Sequence, residues 1–365
     1  MRVGKKKALG AAHKHTLIAT AMFVLLLGSI YAISSTSLFA ISYDPQKPTE
    51  KIAEKEPEPP APVLDKVAYD AKILAVANNP APSTTTASTT KQNLWPPKTA
   101  YPNPGAILPF NRILAYYGNF YSKQMGALGE YETDDMLARL KAEVARFEAA
   151  DPTTPVVPAI EYIAVTAQES PGKDGKYRLR MPESQLDHAL DLAKQVNGIV
   201  ILDIQIGLSS LEAEITDLDN YLSKPEVHLA LDPEFAMKNG AKPGTVIGSM
   251  DAADINYAAE HLAKLVREHN LPPKILIIHR FTHNMVKRSQ DIRPLPEVQI
   301  VMVMDGWGSP AKKIGTYNQV IYPEPVQFAG FKIFYKNDVR PPSTRLLTPA
   351  EVLDLSPQPL FIQYQ

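Results

Sequence analysis

The segment Ile199–Val200–Ile201–Leu202–Asp203–Ile204–Gln205–Ile206 is a short apolar run with two polar residues near its C-terminal end. Its length and its branched side chains are typical of a buried strand. Three later runs have the same form and are also followed by polar residues: Val227–Leu231, Lys274–Ile278 and Ile300–Met304. Repeated strands of this kind are typical of a parallel barrel, in which the C-terminal ends of all strands meet at one mouth.

The C-terminal part of the chain alternates between strand and helix patterns. Helices are predicted from Thr133 to Ala149 and over Glu183–Gln195, Ser209–Leu222 and Ala252–His269. Eight strands over about 250 residues predict a (β/α)8 TIM-like barrel, with no eighth helix after the last strand. The predicted strands are Ile113–Tyr117, Val156–Val165, Ile199–Ile206, Val227–Leu231, Lys274–Ile278, Ile300–Met304, Phe331–Tyr335 and Leu360–Tyr364.

An open doubly wound sheet is the alternative fold. Such a sheet usually carries a glycine-rich turn directly after its first strand. Here the first predicted strand is followed by Gly118–Asn119–Phe120, without a G-x-G-x-x-G pattern. The barrel is therefore favoured.

The first 109 residues differ in character from the rest. Residues 1–15 form a basic tail, and residues 16–43 are predicted to be a transmembrane signal anchor. Leu17–Ile41 has no charged residue, and roughly 20 apolar residues can span a bilayer. The basic tail predicts that the remaining chain lies outside the cytoplasm, and a cleaved signal peptide is the alternative. Residues 44–109, rich in Pro, Ser and Thr, are predicted to link this anchor to a barrel domain over 110–365, with a possible short helix over Val63–Ala77.

Composition excludes several classes of site. The 365-residue chain has no cysteine, which excludes disulfides, thiolate metal ligands and a cysteine nucleophile. Its formal net charge is −1, whereas nucleic-acid binding requires a concentrated basic surface. We therefore expect no nucleic-acid partner.

Side chains along a strand alternate between its two faces. Around Asp203 and Gln205 the opposite face is wholly apolar, so these two residues are predicted to point into the barrel. The same alternation turns Asp232 and Glu234 inward on the next strand. Further inward polar residues are predicted on other strands, namely Glu161, His279 and Asp305.

This convergent set contains enough carboxylates for acid–base catalysis. Crowded carboxylates repel one another, so one of them tends to stay protonated near neutral pH. Glycoside hydrolysis uses such a pair, and Asp203 and Glu234 are predicted to be its catalytic residues. The residues predicted to bind substrate are Glu161, Gln205, Asp232, His279, Asp305, Tyr117, Asn119, Trp307 and Tyr335.

Polar residues of the predicted strands can also have purely structural roles. Asp232 precedes Pro233 and could shape a turn. His228 lies deeper in its strand and is predicted to be a hydrogen-bonded core histidine, while Glu161 could pair with Lys332 inside the barrel. The convergence of several strands at one mouth nevertheless favours a functional site.

Several stretches together resemble an uncharacterised family of secreted or membrane-anchored bacterial proteins with a barrel domain. The resemblance covers residues 110–365; it implies an extracytoplasmic barrel and carries no activity or catalytic residue with it. The acidic mouth is also similar to that of glycoside hydrolases, at the level of fold only. The stretches are Ala115–Asn119, Met125–Glu130, Leu202–Gln205, Leu231–Phe235 and Met304–Gly308.

Three functions are compatible with these patterns. The first is a membrane-anchored, glycoside-hydrolase-like barrel that acts on a polysaccharide of the cell envelope or its surroundings. The second is a metal-dependent hydrolase or phosphodiesterase that uses Asp203, Asp232, Glu234 and His279 to bind a divalent metal. The third is a cell-surface glycan-binding or scaffold protein without catalysis. No cofactor is predicted, although a divalent metal is possible.

Overall fold

A computed structural model describes residues 63–80 and 93–365. Its centre is a closed barrel of eight parallel strands in which β1 pairs with both β2 and β11. The predicted barrel is confirmed, since each of the eight predicted runs overlaps a strand of its wall. The barrel strands are β1 (Arg112–Gly118), β2 (Val156–Ala167), β4 (Ile199–Ile204), β5 (Val227–Leu231), β7 (Lys274–Arg280), β9 (Val298–Met304), β10 (Phe328–Ile333) and β11 (Phe361–Tyr364).

Three short strands lie outside the wall. β3 (Arg178–Arg180) pairs antiparallel with the end of β2, and β6 (Met250–Asp251) pairs with β8 (Val286–Lys287). The helices are α1 (Lys66–Ala77), α2 (Ala127–Glu130), α3 (Thr133–Ala150), α4 (Glu183–Gln195), α5 (Leu211–Thr216), α6 (Asp219–Leu222), α7 (Ala252–His269), α8 (Pro310–Thr316) and α9 (Pro349–Leu353). A π-helical segment, Tyr317–Ile321, continues α8.

Two predicted elements differ from the structure. The single helix predicted over Ser209–Leu222 is divided into α5 and α6. The strand predicted over Phe331–Tyr335 instead runs from Phe328 to Ile333 and contains Gly330. A glycine normally weakens a strand, but a Cβ at Gly330 would lie 2.8 Å from Val303 Cγ2. The crowded barrel interior therefore requires glycine at position 330, although glycine has a low propensity for strands.

The barrel interior is mostly apolar in its lower part. Inward side chains near the N-terminal ends of the strands, such as Ile113, Ile201 and Val301, form one buried cluster. Outward side chains pack against the helices in a second, larger cluster. Polar inward residues are therefore concentrated at the C-terminal ends of the strands.

Helix α1 closes the lower end of the barrel. Val76 is buried within the interior cluster, and its carbonyl oxygen accepts a hydrogen bond of 2.8 Å from the amide of Gln358. Lys72 donates to Thr154 Oγ1 at 2.6 Å. Leu108 is fully buried, and its backbone exchanges two hydrogen bonds with the Gln299 amide. Parts of the predicted linker thus pack against the barrel.

The predicted anchor at 16–43 and the basic tail lie outside the described residues. Among the helices of residues 63–80 and 93–365, none combines the length and apolar character needed to cross a membrane.

Candidate functional site

A layer of polar side chains lies at the C-terminal end of the barrel interior. It lies just above the apolar interior cluster, where the inward residues of the strands change from apolar to polar. Strand alternation places one member on each strand or directly after it. They are Tyr117, Glu161, Asp203, Asp232, His279, Asp305, Lys332 and Gln363.

His279 lies at the centre of this layer between two carboxylates. Its Nε2 is 3.3 Å from Glu161 Oε1, and its Nδ1 is 3.2 Å from Asp305 Oδ2. Burial by itself would lower the pKa of His279, but Asp305 and Glu161 raise it well above its ordinary value. The imidazolium therefore balances part of the negative charge in the mouth.

Lys332 balances the remaining charge on Asp305. Its Nζ lies 3.1 Å from Asp305 Oδ1 and 4.0 Å from the centroid of the Tyr117 ring. Burial would raise the pKa of Asp305, but Lys332 and His279 hold it below its ordinary value. The suggested pair between Glu161 and Lys332 is wrong, because Lys332 is bound to Asp305 while Glu161 accepts from the Gln363 amide.

Asp203 is fully buried, as Glu161 is. Tyr117 donates a hydrogen bond of 2.9 Å to its Oδ2. Burial, supported by the charge of Glu161, raises the pKa of Asp203 to about 7, although His279 and Tyr117 oppose the shift. The Gln205 amide lies within 3.3 Å of both the Tyr117 hydroxyl and Asp232 Oδ2. Gln205 and Tyr117 thus connect Asp203 to the carboxyl of Asp232.

A cavity of about 540 Å³ opens above this layer. Its wall contains three of the predicted carboxylates, Asp232, Glu234 and Asp305, whereas Asp203 is not part of it. Burial and the charge of Asp305 raise the pKa of Glu234. Burial and the charge of Asp203 raise the pKa of Asp232 well above its usual range. The cavity therefore combines carboxyls that favour the protonated form with one, Asp305, that favours the ionised form.

Asp232 has both a structural and a cavity-facing role. Its Oδ1 accepts a hydrogen bond of 3.2 Å from the amide of Glu234. This bond caps the short helical turn Pro233–Phe235. This bond fixes the position of Glu234 relative to β5. The predicted turn interpretation of Asp232 is thus compatible with its place in the cavity wall.

The remaining predicted binding residues are divided between the cavity and the barrel exterior. Trp307 lines the cavity and is 46% exposed. Tyr335 instead packs outside the barrel, where its hydroxyl bonds to Tyr116 at 2.7 Å and to Glu143 at 3.2 Å. Tyr335 points outward, as the alternate residues Phe331 and Ile333 do. The prediction that Tyr335 lies at the barrel mouth is therefore wrong.

Asn119 also has no place in the cavity wall. It is 2% exposed, and its amide donates to Ile163 O at 3.2 Å while its oxygen accepts from the amide of Tyr121 at 2.9 Å. These bonds shape the loop after β1. The inward residue of this strand end is Tyr117, which does line the cavity.

Strand alternation also accounts for the positions of His228, Gln363 and Lys332. His228 is buried and accepts a hydrogen bond of 3.0 Å from the amide of Ile275, which confirms its prediction as a core histidine. Gln363, the partner of Glu161, is not among the predicted site residues, although the alternation of the last strand turns it inward. Lys332 points inward as predicted, but it pairs with Asp305 and not with Glu161.

The described ranges contain no cluster of three or more His, Asp or Glu side chains arranged to hold a metal ion. The residues of the metal hypothesis have other partners in the barrel. Asp203 is bound to Tyr117, and His279 lies between Glu161 and Asp305.

No protein-family model and no curated protein matches the chain. Similar solved structures include a GH5-4 broad-specificity endoglucanase from an uncultured bovine rumen ciliate, at 10% identity and TM-score 0.37, over 64% of this chain and 76% of that one. A ruminal GH26 endo-β-1,4-mannanase has 10% identity and TM-score 0.34, over 70% and 58%. A hyperthermophilic endo-β-1,4-glucanase has 10% identity and TM-score 0.36, over 70% and 89%.

The raised pKa of Asp203 predicts that the contribution of this group to stability falls as pH rises. Between the unfolded value of about 3.9 and the folded value of about 7, the folded chain holds a proton that the unfolded chain has released. Stability contributed by this group is therefore present at low pH and lost as pH rises towards 7. Asp203→Asn should make the slope of unfolding free energy against pH more positive, by at most about 1.4 kcal/mol per pH unit.

Urea unfolding of wild type and Asp203→Asn at several pH values from 4.5 to 7.5 measures this difference. Glu268→Gln, at an exposed position on α7, is the control and should leave the wild-type slope unchanged. Equal slopes in wild type and Asp203→Asn would show that Asp203 is already ionised at low pH.

Proposed function

We propose that this protein is a hydrolase that cleaves glycosidic bonds in a polysaccharide. The observation that supports the proposal is the pair formed by Glu234 and Asp305 in the wall of one cavity of about 540 Å³. The pKa of Glu234 is raised and the pKa of Asp305 is lowered. Glycoside hydrolysis requires one protonated and one ionised carboxyl on a shared substrate.

The environments of the cavity residues suggest their roles. Glu234 is the general acid that protonates the leaving oxygen, because its environment favours the protonated form. Asp305 is the ionised carboxylate, held by Lys332 and His279. Asp232, fixed by Gln205, positions a hydroxyl group, and Trp307 offers an aromatic face to a sugar ring.

This assignment differs from the predicted pair of Asp203 and Glu234 in one member. Asp203 is fully buried and is covered by Tyr117 and Gln205, so a substrate in the cavity does not reach it. We propose that Asp203 supports catalysis indirectly by fixing Tyr117. Asp305 takes the role of the second carboxyl because it faces the cavity.

The test is the release of reducing ends by the purified full chain from cell-envelope and extracellular polysaccharide preparations. We expect turnover that persists after exhaustive dialysis against a chelator. Saturable binding of the same polymers without any release of reducing ends would support a binding protein instead. Loss of turnover on chelation, restored by one divalent metal, would support the metal-dependent alternative.

We further propose that the barrel is held at the cell membrane with its cavity outside the cytoplasm. The support is the uncharged run Leu17–Ile41 and the basic residues before it. Protease treatment of intact cells that express the full chain with a C-terminal tag tests the topology. Degradation of the tag only after cell lysis would overturn it.

A further inference from the structure

We propose that the substrate is an acidic polysaccharide and that Lys312 and Arg340, beside Trp307, bind a uronate carboxylate. The inference rests on the proposed function for the presence of a saccharide in the cavity. It adds the chemical class of that saccharide and a subsite for its charge. Both cations follow barrel strands at the mouth: Lys312 lies in α8 after β9, and Arg340 lies in the loop after β10.

The cavity at the mouth continues into a second one. A neighbouring cavity of about 360 Å³ shares Gln124, Phe334 and Gln365 with the first and also contains Arg340 in its wall. Together the two cavities form a groove, which we call the mouth groove. A groove that extends past the catalytic carboxyls provides room for more than one unit of a polymer.

The exposed indole of Trp307 has two cationic neighbours. Lys312 Nζ is 4.9 Å and Arg340 Cζ is 5.6 Å from its ring centroid. An indole face suits the apolar side of a sugar ring, and Arg and Lys are the usual partners of carboxylates. A uronate stacked on Trp307 would therefore find cations at the edge of its ring.

Some cations of the mouth groove are paired with a carboxylate and others are not. Lys332 is neutralised by Asp305 at 3.1 Å, and Lys336 is neutralised by Glu130 at 2.7 Å. Lys312 and Arg340, by contrast, have no carboxylate within 4 Å in the part of the chain that the structure describes. Two positive charges thus remain available at the indole.

A buried ion pair holds the two loops of this subsite together. Asp338, 2% exposed, accepts from the amide of Gly308 at 2.9 Å and pairs with Lys313 at 2.9 Å. Gly308 follows Trp307, and Asp338 lies two residues before Arg340. Because this carboxylate links both loops, the subsite is organised before a ligand binds, which lowers the entropy lost on binding.

The test measures binding by affinity electrophoresis of the full chain carrying Glu234→Gln, which is expected to suppress cleavage. The probes are polygalacturonate, alginate and hyaluronate, each compared with its carboxyl-reduced form. We expect at least one acidic polymer to bind 10-fold or more tightly than its reduced form, with weaker binding at high salt. Lys312→Ala combined with Arg340→Ala should weaken that binding at least 10-fold.

The matched control is Lys242→Ala combined with Lys264→Ala, which removes the same charge from exposed positions outside the mouth groove. It should bind as the parent does. Equal binding of acidic and reduced polymers, equal weakening by both double variants, or no binding of any acidic polymer would overturn the inference.

The outcome is separable from that of the proposed function. Charge-dependent binding through Lys312 and Arg340, with no release of reducing ends by the wild type, would refute the hydrolase and retain the subsite. Hydrolysis of a neutral polysaccharide at a rate that the double variant does not change would refute the subsite and retain the hydrolase.

Discussion

Glu234→Gln is expected to lower the rate of polysaccharide hydrolysis by about 100- to 10,000-fold, the usual contribution of a general acid. The substitution keeps the size of the side chain and its hydrogen-bonding capacity. It removes the ionisable carboxyl whose pKa is raised by burial and by the charge of Asp305. Polymer affinity should therefore stay close to that of the wild type while turnover falls.

A substrate with an activated leaving group separates acid catalysis from other roles of Glu234. A 4-nitrophenyl glycoside of the sugar that the wild type releases needs little protonation to depart. Glu234→Gln should lose much less activity on this substrate than on the polymer, whereas Asp305→Asn should lose activity on both. Equal losses of Glu234→Gln on the two substrates would contradict its role as the acid.

The control for both measurements is Glu268→Gln, which changes an exposed carboxylate on α7 in the same way. Its activity on either substrate should equal that of the wild type. Circular dichroism of each variant establishes that the fold is retained.

Asp338→Ala is expected to lower the free energy of unfolding by about 3–5 kcal/mol, the cost of removing one partner of a buried ion pair. Asp338 and Lys313 are each 2% exposed and lie 2.9 Å apart. The substitution also deprives the amides of Gly308 and Phe334 of their acceptor. The Lys313 ammonium would keep only the carbonyl oxygens of Gly306 and Lys332.

Chemical denaturation measures this loss, with Asp135→Ala as the control. Asp135 forms an ion pair of 2.8 Å with Arg139, and both side chains are about half exposed. Its removal should cost less than about 1 kcal/mol because solvent screens exposed pairs. Replacing Lys313 by Met together with Asp338 by Leu should recover part of the loss. A loss in Asp338→Ala no larger than that in Asp135→Ala would contradict the role of the buried pair.

The barrel wall was predictable from sequence because each buried strand is a compact apolar run. Alternation within these runs also identifies which side chains point inward, as the apolar face opposite Asp203 and Gln205 illustrates. The position of β10 was less predictable, since Gly330 interrupts its pattern for the sake of contact with Val303. The packing of α1 against the barrel depends on contacts far apart in sequence and leaves little local signal.

The sequence predicts which residues point into the barrel, but not which of them reach the cavity. Asp203 in β4 and Gln205 just after it point to the same side, yet only Gln205 lines the cavity. Whether an inward side chain reaches the cavity depends on its height along the barrel axis and on the side chains that cover it. Tyr117 covers Asp203. Pairings such as Lys332 with Asp305 depend on geometry across the barrel, which one sequence does not encode locally. The catalytic role of Glu234 stays a prediction.

The apolar filling of the lower barrel, closed beneath by α1, has a consequence for proton movement. The side chains below Asp203 and His279 are mostly apolar, whereas polar contacts lead upward to the cavity through Tyr117 and Gln205 and through Asp305. A polymer seated in the cavity would close that route. We expect the charge state of the buried cluster to be set before a chain binds and to stay fixed until it leaves.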